Sequence, residues 1–343
     1  MQDKSITILS SRGRGISADL VFMRTHLVCE NDMSHVVFRS FSQNEKSGSA
    51  GVVARMRRKF CENAMHVLCV DGSLSGKGNF GEGCRLLLAS PYEYQFKNAM
   101  APGRLGTFKN YTHIIAGSPF TEKLLKQCYE LDGINVIGQT ALPLAWEICQ
   151  AAQQEKARER IAFYFPEVRE KKVMFLQFGK KSFFEGDSLQ NLLDSLGDSW
   201  FVVTNSRGIV EDARSLPLKY RTRFASMNGL MQTHELLFVT DVLVTDNGRM
   251  AASFSSRGKP VYCPLSDNSS FERYMKTFYR ELCIANEKEL LRLPLEGELS
   301  TKGRKFCHEF SYSNAGNPYQ KTAEIFGLKP GNGLSKPEPV EIC

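Results

Sequence analysis

The sequence predicts an α/β protein in two halves, each a mostly parallel sheet covered by helices on both faces. Short β-branched runs alternate with helix-length amphipathic segments along the chain, which is typical of parallel sheets. A length of 343 residues exceeds one ordinary core and suits two domains. The pattern also starts a second cycle at Val173, after a polar, charged segment. We therefore expect two Rossmann-like domains that face a central cleft, with ligands at the carboxyl ends of the strands.

Composition and motifs exclude several other classes of protein. Hydrophobic residues make up 42% and charged residues 24%, the balance of a globular chain. No apolar run of about 18 residues predicts a membrane span. The N-terminus lacks the regions of a signal peptide, so we expect a cytoplasmic protein. The 10 cysteines never take zinc or C-x-x-C spacing, which favours buried free thiols and no metal or other cofactor.

The net charge of +7 includes one basic cluster at Arg55–Lys59. A solvated helix face is the plainer interpretation of such a run. An anionic membrane surface, at the inner face of the cell membrane, or an acidic polymer is the alternative partner. No zinc-finger, RNP or helix-turn-helix signature is present, so nucleic acid is not expected.

The β-branched runs and the helical segments place the elements as follows. First-half strands are predicted at Ile6–Leu9, His35–Arg39, His66–Val70, Arg85–Ala89, His113–Ala116 and Asn135–Ile137, with helices at Ala50–Asn63, Thr121–Leu131 and Ala145–Ile161. Second-half elements are predicted at Val173–Leu176, Ser188–Leu196, Trp200–Thr204, Thr233–Val239, Val242–Thr245, Arg249–Ser256 and Pro260–Cys263. The domains are then 1–165 and 166–328, followed by a flexible tail at 329–343.

The stretch from Glu235 to Tyr262 carries most of the functional signal. It predicts a helix, a buried strand that ends at Asp246, a tight Asn247-Gly248 turn, and a second helix. A helix that starts at a strand end presents backbone N–H groups and its positive dipole to an anion, and Arg249 adds charge. The alternative is a polar turn with Asn and Gly chosen only for positive φ.

The same stretch resembles the CDP-glycerol glycerophosphotransferases, GT-B enzymes that build teichoic acids and related capsule polymers. That family has Glu-Leu-Leu on a helix, then "sDiLITDYSS" and "KRPiifY…YR". The corresponding segments here are Glu235–Leu237, Thr240–Asp246, Gly258–Tyr262 and Glu272–Tyr274. Ala116–Phe120, Asn286–Leu291, Lys302–Phe310 and Asn314–Asn317 are similar to further family segments, so the resemblance covers about residues 110–327 in the right order.

The resemblance implies a GT-B transferase that moves a group from a nucleotide-activated glycerol, polyol or sugar to a polymer, lipid-linked or polyol acceptor. Three departures from the family pattern leave alternatives open. The family's Tyr-Ser-Ser after the strand-end aspartate is Asn247, Gly248 and Arg249 here, and its "HGT" and "K.HP" segments have no histidine. A non-catalytic binding subunit is one alternative. A relative of the UDP-N-acetylglucosamine 2-epimerases is the other, although their paired glutamates are Ala251-Ala252 here.

Positive groups near strand ends are the expected ligands of the diphosphate. We expect the donor at Lys180, Lys181, Asp246, Asn247, Gly248, Arg249 and Arg273. The Gly-rich turn after the first strand is assigned to the acceptor, through Arg12, Gly13, Arg14 and Gly15. For most of these residues a plain solvated loop or tight turn is the competing interpretation.

Candidates for the general base are Asp71, at the exit of a first-half strand, and His234, in the first turn of the Glu235 helix. The alternative for Asp71 is that its side chain only caps a turn. His35, His66 and His113 each open a predicted strand, where a structural role is usual.

Overall fold

The computed structural model describes residues 6–10, 17–30, 36–40, 66–69, 83–91, 93–100, 108–178, 187–265 and 269–328. The chain divides into two units. As far as they are described, residues up to 90, 108–146 and 312–328 form the first, and residues 91–100 and 147–311 form the second. The chain therefore passes between the units several times, whereas the sequence predicted a single boundary between residues 165 and 166.

The first unit contains a six-stranded parallel sheet in the order β2-β1-β3-β4-β5-β6. Its strands are β1 Ile6–Ser10, β2 Val36–Ser40, β3 His66–Cys69, β4 Arg85–Ala89, β5 His113–Ala116 and β6 Asn135–Ile137. β3 is buried along its whole length, as is expected for a strand covered on both faces. Part of the core is a cluster of Val67, Leu87, Tyr111, Ile114 and Leu125.

Within the described residues, four helices accompany this sheet: α1 Ala18–Glu30, α3 Pro119–Cys128, α4 Pro143–Glu147 and α13 Pro318–Ile325. The cap of α3 is Ser118, whose side chain accepts from Thr121 N, so the helix begins at Pro119 and not at Thr121 as predicted. α4 lies where the chain leaves the first unit. α13 packs on the first unit through stacking of Tyr319 on His26, with ring centroids 3.6 Å apart.

The second unit repeats the architecture, with a six-stranded parallel sheet in the order β12-β11-β10-β7-β8-β9. Its strands are β7 Lys172–Gln177, β8 Trp200–Thr204, β9 Phe224–Ser226, β10 Val242–Thr245, β11 Val261–Pro264 and β12 Cys283–Ile284. Its helices are α2 Glu93–Met100, α5 Ala151–Tyr164, α6 Ser188–Leu196, α7 Arg207–Asp212, α8 Thr233–Val239, α9 Gly248–Phe254, α10 Ser270–Phe278, α11 Glu287–Leu290 and α12 Thr301–Phe310. Short 3₁₀ turns lie at Pro166–Glu170, Ala213–Ser215, Leu218–Thr222, Ser255–Arg257 and Arg280–Leu282.

The two parallel sheets confirm the predicted α/β class, and most predicted elements occur within a residue or two of their expected bounds. The prediction of a single helix at Ala145–Ile161 was wrong, because the chain breaks between α4 and α5. The break is held by Gln153 Nε2, which donates to Glu147 Oε2 at 2.9 Å, and by Gln154 Nε2, which donates to the Ile148 carbonyl at 2.9 Å. The predicted helix at Ala50–Asn63, the basic cluster Arg55–Lys59 and the tail lie outside the described residues.

The described part of the chain contains no helix that is both long and apolar enough to cross a membrane. Every cysteine within it is a free thiol, as predicted, and Cys69, Cys128, Cys263 and Cys283 are buried. Cys29 departs from the prediction because it is exposed. Within the same ranges no group of three or more metal-ligating side chains occurs.

Candidate functional site

The candidate site lies at the point where the strand order of the second sheet reverses. From β7 the chain moves to β8 and β9 on one side, and then to β10, β11 and β12 on the other. In sheets of this kind the carboxyl ends of the strands beside such a reversal, here β7 and β10, are the usual ligand position. Asp246–Arg249 follow β10 directly, whereas Lys180 and Lys181 follow β7 but lie outside the described residues.

The two aspartates of the motif lie at opposite ends of β10. Asp241, at the amino end, accepts from the Val173 amide at 2.8 Å and from Lys259 Nζ at 2.5 Å. Burial, and then the nearby Arg257 charge, lower the pKa of Lys259. Asp241 and Lys259 therefore connect the starts of neighbouring strands, and of the two aspartates only Asp246 lies at the carboxyl edge of the sheet.

The Asp246–Arg249 turn is a capped helix start. Asn247 has φ −99° and ψ 103°, and its Oδ1 accepts from the amides of Arg249 at 3.1 Å and Met250 at 3.2 Å. The Asn247 amide donates to Thr245 Oγ1 at 3.0 Å. This corrects the expectation that the turn presents open amides to an anion, because the Asn247 side chain already accepts from two of them.

Gly248 has a steric role and not the conformational one considered for it. Its φ is not positive, but a Cβ at this position would lie 2.4 Å from Phe96 Cε2 and 2.8 Å from two ring carbons of Phe271. The rings of Phe96 and Phe271 are 5.0 Å apart, edge to face. The first residue of α9 is therefore packed against α2 and α10.

Arg273 is on α10, the helix that follows β11, which is the strand next to β10. The helix starts with a capping box in which Ser269 accepts from Glu272 N at 3.1 Å and Glu272 accepts from Ser269 N at 2.7 Å. Arg273 is exposed, and its Nη2 donates to Ser270 Oγ at 3.2 Å. Because Phe271 touches Gly248, the starts of α9 and α10 adjoin, which brings Arg273 to the same edge as Arg249.

His234 reaches this edge through α8. Asn205, one residue beyond β8, donates from Nδ2 to Thr233 Oγ1 at 3.2 Å, so the first turn of α8 lies over the end of β8. Gln232 and Glu235 close the helix start with a capping box. His234 lies in that first turn, as the sequence predicted, and its side chain is half-buried.

In the first unit the strand order reverses between β1 and β3. Arg12, Gly13, Arg14 and Gly15 follow β1 and Asp71 follows β3, but all five lie outside the described residues. Ser90, where the family's "HGT" segment was expected, is buried at the end of β4. His66 and His113 open β3 and β5, at the amino ends of their strands, so neither is near the carboxyl edge. Burial lowers the pKa of both histidines.

Sequence comparison finds one informative relative. The teichoic acid poly(ribitol-phosphate) polymerase of Bacillus spizizenii is 26% identical over 179 residues, which are 50% of this chain and 29% of that protein. The match thus spans less than a third of the relative's length. No family model matches the chain.

Solved structures with the same fold include the wall teichoic acid polymerase TagF. One TagF structure matches with a TM-score of 0.63 at 12% identity, over 95% of this chain and 89% of that one. A structure of TagF soaked with CDPG matches with a TM-score of 0.62 at 13% identity, over 95% of this chain and 88% of that one. The UDP-GlcNAc 2-epimerase of Methanocaldococcus jannaschii matches with a TM-score of 0.51 at 11% identity, over 88% of this chain and 98% of that one.

The two parallel sheets and these matches show that the chain has the GT-B fold, as the sequence predicted. Solved structures of this fold include those of TagF, and the sequence match is to another teichoic acid polymerase. The chain is thus similar to teichoic acid polymerases, in sequence over half of its length and in fold over most of it.

Proposed function

We propose that this chain is a transferase that moves a polyol phosphate from a nucleotide-activated donor, such as CDP-glycerol, to a growing cell-surface polymer. The observation that carries the proposal is the position of the motif that resembles this family. Its strand segment ends at Asp246, directly after β10, where the second sheet reverses its order. The similarity to a poly(ribitol-phosphate) polymerase and to TagF supports the same reaction class.

The proposed donor site uses cationic groups in place of a metal. Arg249 and Arg273 come from helices that start after neighbouring strands, and both are assigned to the diphosphate with Lys180 and Lys181. A fixed guanidinium stabilises charge that develops on a phosphoryl oxygen without moving during the reaction. Asn247 and Gly248 shape the turn, and Asp246 completes it.

In the reaction an acceptor hydroxyl attacks the phosphorus that carries the polyol. The new bond joins the acceptor oxygen to that phosphorus, the bond to the bridging oxygen of the diphosphate breaks, and the nucleoside monophosphate leaves. The hydroxyl proton goes to a general base, for which Asp71 and His234 are the candidates. Arg12, Gly13, Arg14 and Gly15 are assigned to a polymer, lipid-linked or polyol acceptor.

A non-catalytic binding role is the second candidate, and one observation favours it. Ser90 and Asn205 stand where the resemblance calls for histidine-bearing segments. The epimerase alternative is less favoured because its paired glutamates are replaced by Ala251 and Ala252, which are buried in α9.

Thermal-shift titration with CDP-glycerol, CDP-ribitol and UDP-N-acetylglucosamine tests binding, and release of CMP with a primed acceptor tests turnover. We expect stabilisation by a CDP-linked polyol, and its loss in Asp246→Ala and in Lys180→Ala with the apo fold intact. Binding without CMP release would favour the non-catalytic role. Unchanged stabilisation in both variants would refute the proposed site.

Contact with an anionic membrane surface is part of the proposal. The net charge of +7 supports it, as does Leu218, which is 68% exposed beside Lys219 and Arg221. Flotation with phosphatidylglycerol vesicles should carry the protein, whereas phosphatidylcholine vesicles should not. Leu218→Ser should weaken this binding, and equal flotation with both vesicle types would contradict it.

A further inference from the structure

Two side-chain oxygens at the carboxyl edge of the second sheet are buried without a hydrogen-bond partner. They are Oε1 of Gln177, the last residue of β7, and Oδ1 of Asn205, one residue beyond β8. Neither has a partner among the described residues. Leaving a buried acceptor unpaired is costly, so such groups are rare unless something else pairs them.

The register brings these two residues side by side. Gln177 pairs with Thr245 of β10, and Leu176 pairs with Thr204 of β8. By the same register Asn205 comes next to Gln177 on the other side, on strands about 5 Å apart. Both residues therefore lie beside the reversal point, on the side away from Asp246.

Three neighbouring side chains at this edge, those of Thr204, Ser206 and Thr245, are paired among the described residues. Thr204 Oγ1 donates to the Leu176 carbonyl at 2.8 Å and accepts from Ser206 N at 2.9 Å. Ser206 Oγ accepts from Phe178 N at 2.6 Å, and Thr245 Oγ1 accepts from Asn247 N. The two unpaired oxygens are thus a local feature of Gln177 and Asn205 and not of a loosely built edge.

The chemistry of the two oxygens selects the ligand group. Both are neutral and can only accept, so a phosphate oxygen would be repelled and an apolar group would leave them unpaired. Adjacent hydroxyl groups satisfy both. We propose that Gln177 and Asn205 bind a pair of adjacent hydroxyls of the donor, either the ribose diol or the polyol.

This inference rests on the proposed function, since it names a contact within the same donor site. It divides the site into two parts. The cationic groups, which are Arg249 and Arg273 together with Lys180 and Lys181, are assigned to the diphosphate, and the neutral acceptors Gln177 and Asn205 are assigned to the hydroxyls.

The test combines calorimetric titration and unfolding of the wild type, Gln177→Met, Asn205→Leu and the matched control Ser206→Ala. The ligands are CDP, 2′-deoxyCDP, UDP, CDP-glycerol and glycerol 3-phosphate. The wild type should bind CDP about tenfold more tightly than 2′-deoxyCDP if the ribose is the source, or CDP-glycerol about tenfold more tightly than CDP if the polyol is. Gln177→Met and Asn205→Leu should abolish that preference, and Gln177→Glu should restore part of it.

The apo proteins provide a second measurement. Gln177→Met removes an unpaired acceptor and should keep or raise the melting temperature by about 1–3 °C, whereas Ser206→Ala should lower it. A wild type that binds none of the nucleotides would refute the proposed function together with this inference. If the wild type binds a nucleotide and both variants keep the same preference for the hydroxyl-bearing ligand, the inference alone is refuted. It is also refuted if the variants change only the choice between CDP and UDP.

Discussion

Gly248 lies so close to Phe96 that a Cβ on the glycine would be 2.4 Å from the phenylalanine ring. Phe96 belongs to α2, which follows β4 in the chain but is part of the second unit. Its ring also packs on Tyr274 and Phe310, at 5.4 Å and 5.9 Å. The start of the helix at the candidate donor site is therefore fixed by an aromatic cluster that includes a residue from far back in the sequence.

Gly248→Ala should destabilise the fold, because the new methyl group meets two buried rings that cannot both move away. We expect a loss of about 1–3 kcal/mol in the free energy of unfolding, measured with urea. Gly303→Ala, in the first turn of α12, is the matched control. Its Cβ would lie 3.3 Å from Ser300 Oγ and 3.4 Å from Leu299 Cβ, so little has to move. An equal loss in both variants would contradict the packing role of Gly248.

Asn247→Gly should cost only a few tenths of a kcal/mol, since glycine is itself a tolerated helix cap. The change frees the amides of Arg249 and Met250, which the Asn247 side chain now occupies. If the turn binds the donor diphosphate, pyrophosphate should bind several-fold more tightly to this variant. Unchanged or weaker binding in calorimetry would indicate that the anion is held elsewhere.

His66 should make the fold sensitive to mild acid. Its Nδ1 accepts from the Cys84 amide at 3.3 Å, the ring stacks on Phe326 at 4.7 Å, and burial lowers its pKa. As the pH falls through 6.5, His66 takes up a proton in the unfolded chain but stays neutral in the folded state. Stability should therefore fall with decreasing pH, by at most about 1.4 kcal/mol per pH unit, until the lowered pKa is reached.

His66→Phe keeps the stacking but cannot titrate. Urea unfolding at pH 7.5 should show a loss of about 1 kcal/mol from the unpaired Cys84 amide. Between pH 7 and pH 5.5 the variant should lose less stability than the wild type. His113, whose pKa is also lowered by burial, should account for part of the remaining slope. Parallel pH profiles for the two proteins would contradict this assignment.

Glu309→Gln should weaken the attachment of α12. The hydroxyls of Tyr274 and Tyr279 each donate to one carboxylate oxygen of Glu309, and burial with these bonds raises the pKa of both tyrosines. A glutamine has one acceptor oxygen, so one hydroxyl loses its partner, at a cost of about 1–3 kcal/mol. Glu298→Gln, at a 96% exposed side chain, is the control and should leave the melting temperature unchanged.

Local patterns were sufficient to predict most strands. Ile114 and Ile115 in β5 and Val242–Val244 in β10 are continuous apolar runs, and the structure buries them on both faces of a sheet. The capping box at Ser269 and Glu272 has a sequence signature that places the start of α10. These features depend on near neighbours in the chain, which the sequence shows directly.

Features that depend on distant partners could not be predicted in the same way. The reason for a glycine at position 248 is a ring at position 96, and nothing between them indicates the contact. The break at Ile148–Gln150 contains no glycine or proline, so the segment resembles a continuous helix. The side-chain oxygens of Gln177 and Asn205 are buried without a hydrogen-bond partner, and only the three-dimensional packing shows this.

Because α2 belongs to the second unit and α13 to the first, neither half of the chain is self-sufficient. During synthesis the first sheet would emerge long before residues 312–328, whose rings stack on His26 and His66. We infer that its final consolidation awaits translation of those residues. Expression of 1–165 alone should accordingly give a product that is sensitive to protease and regains resistance when a 312–328 segment is appended through a linker.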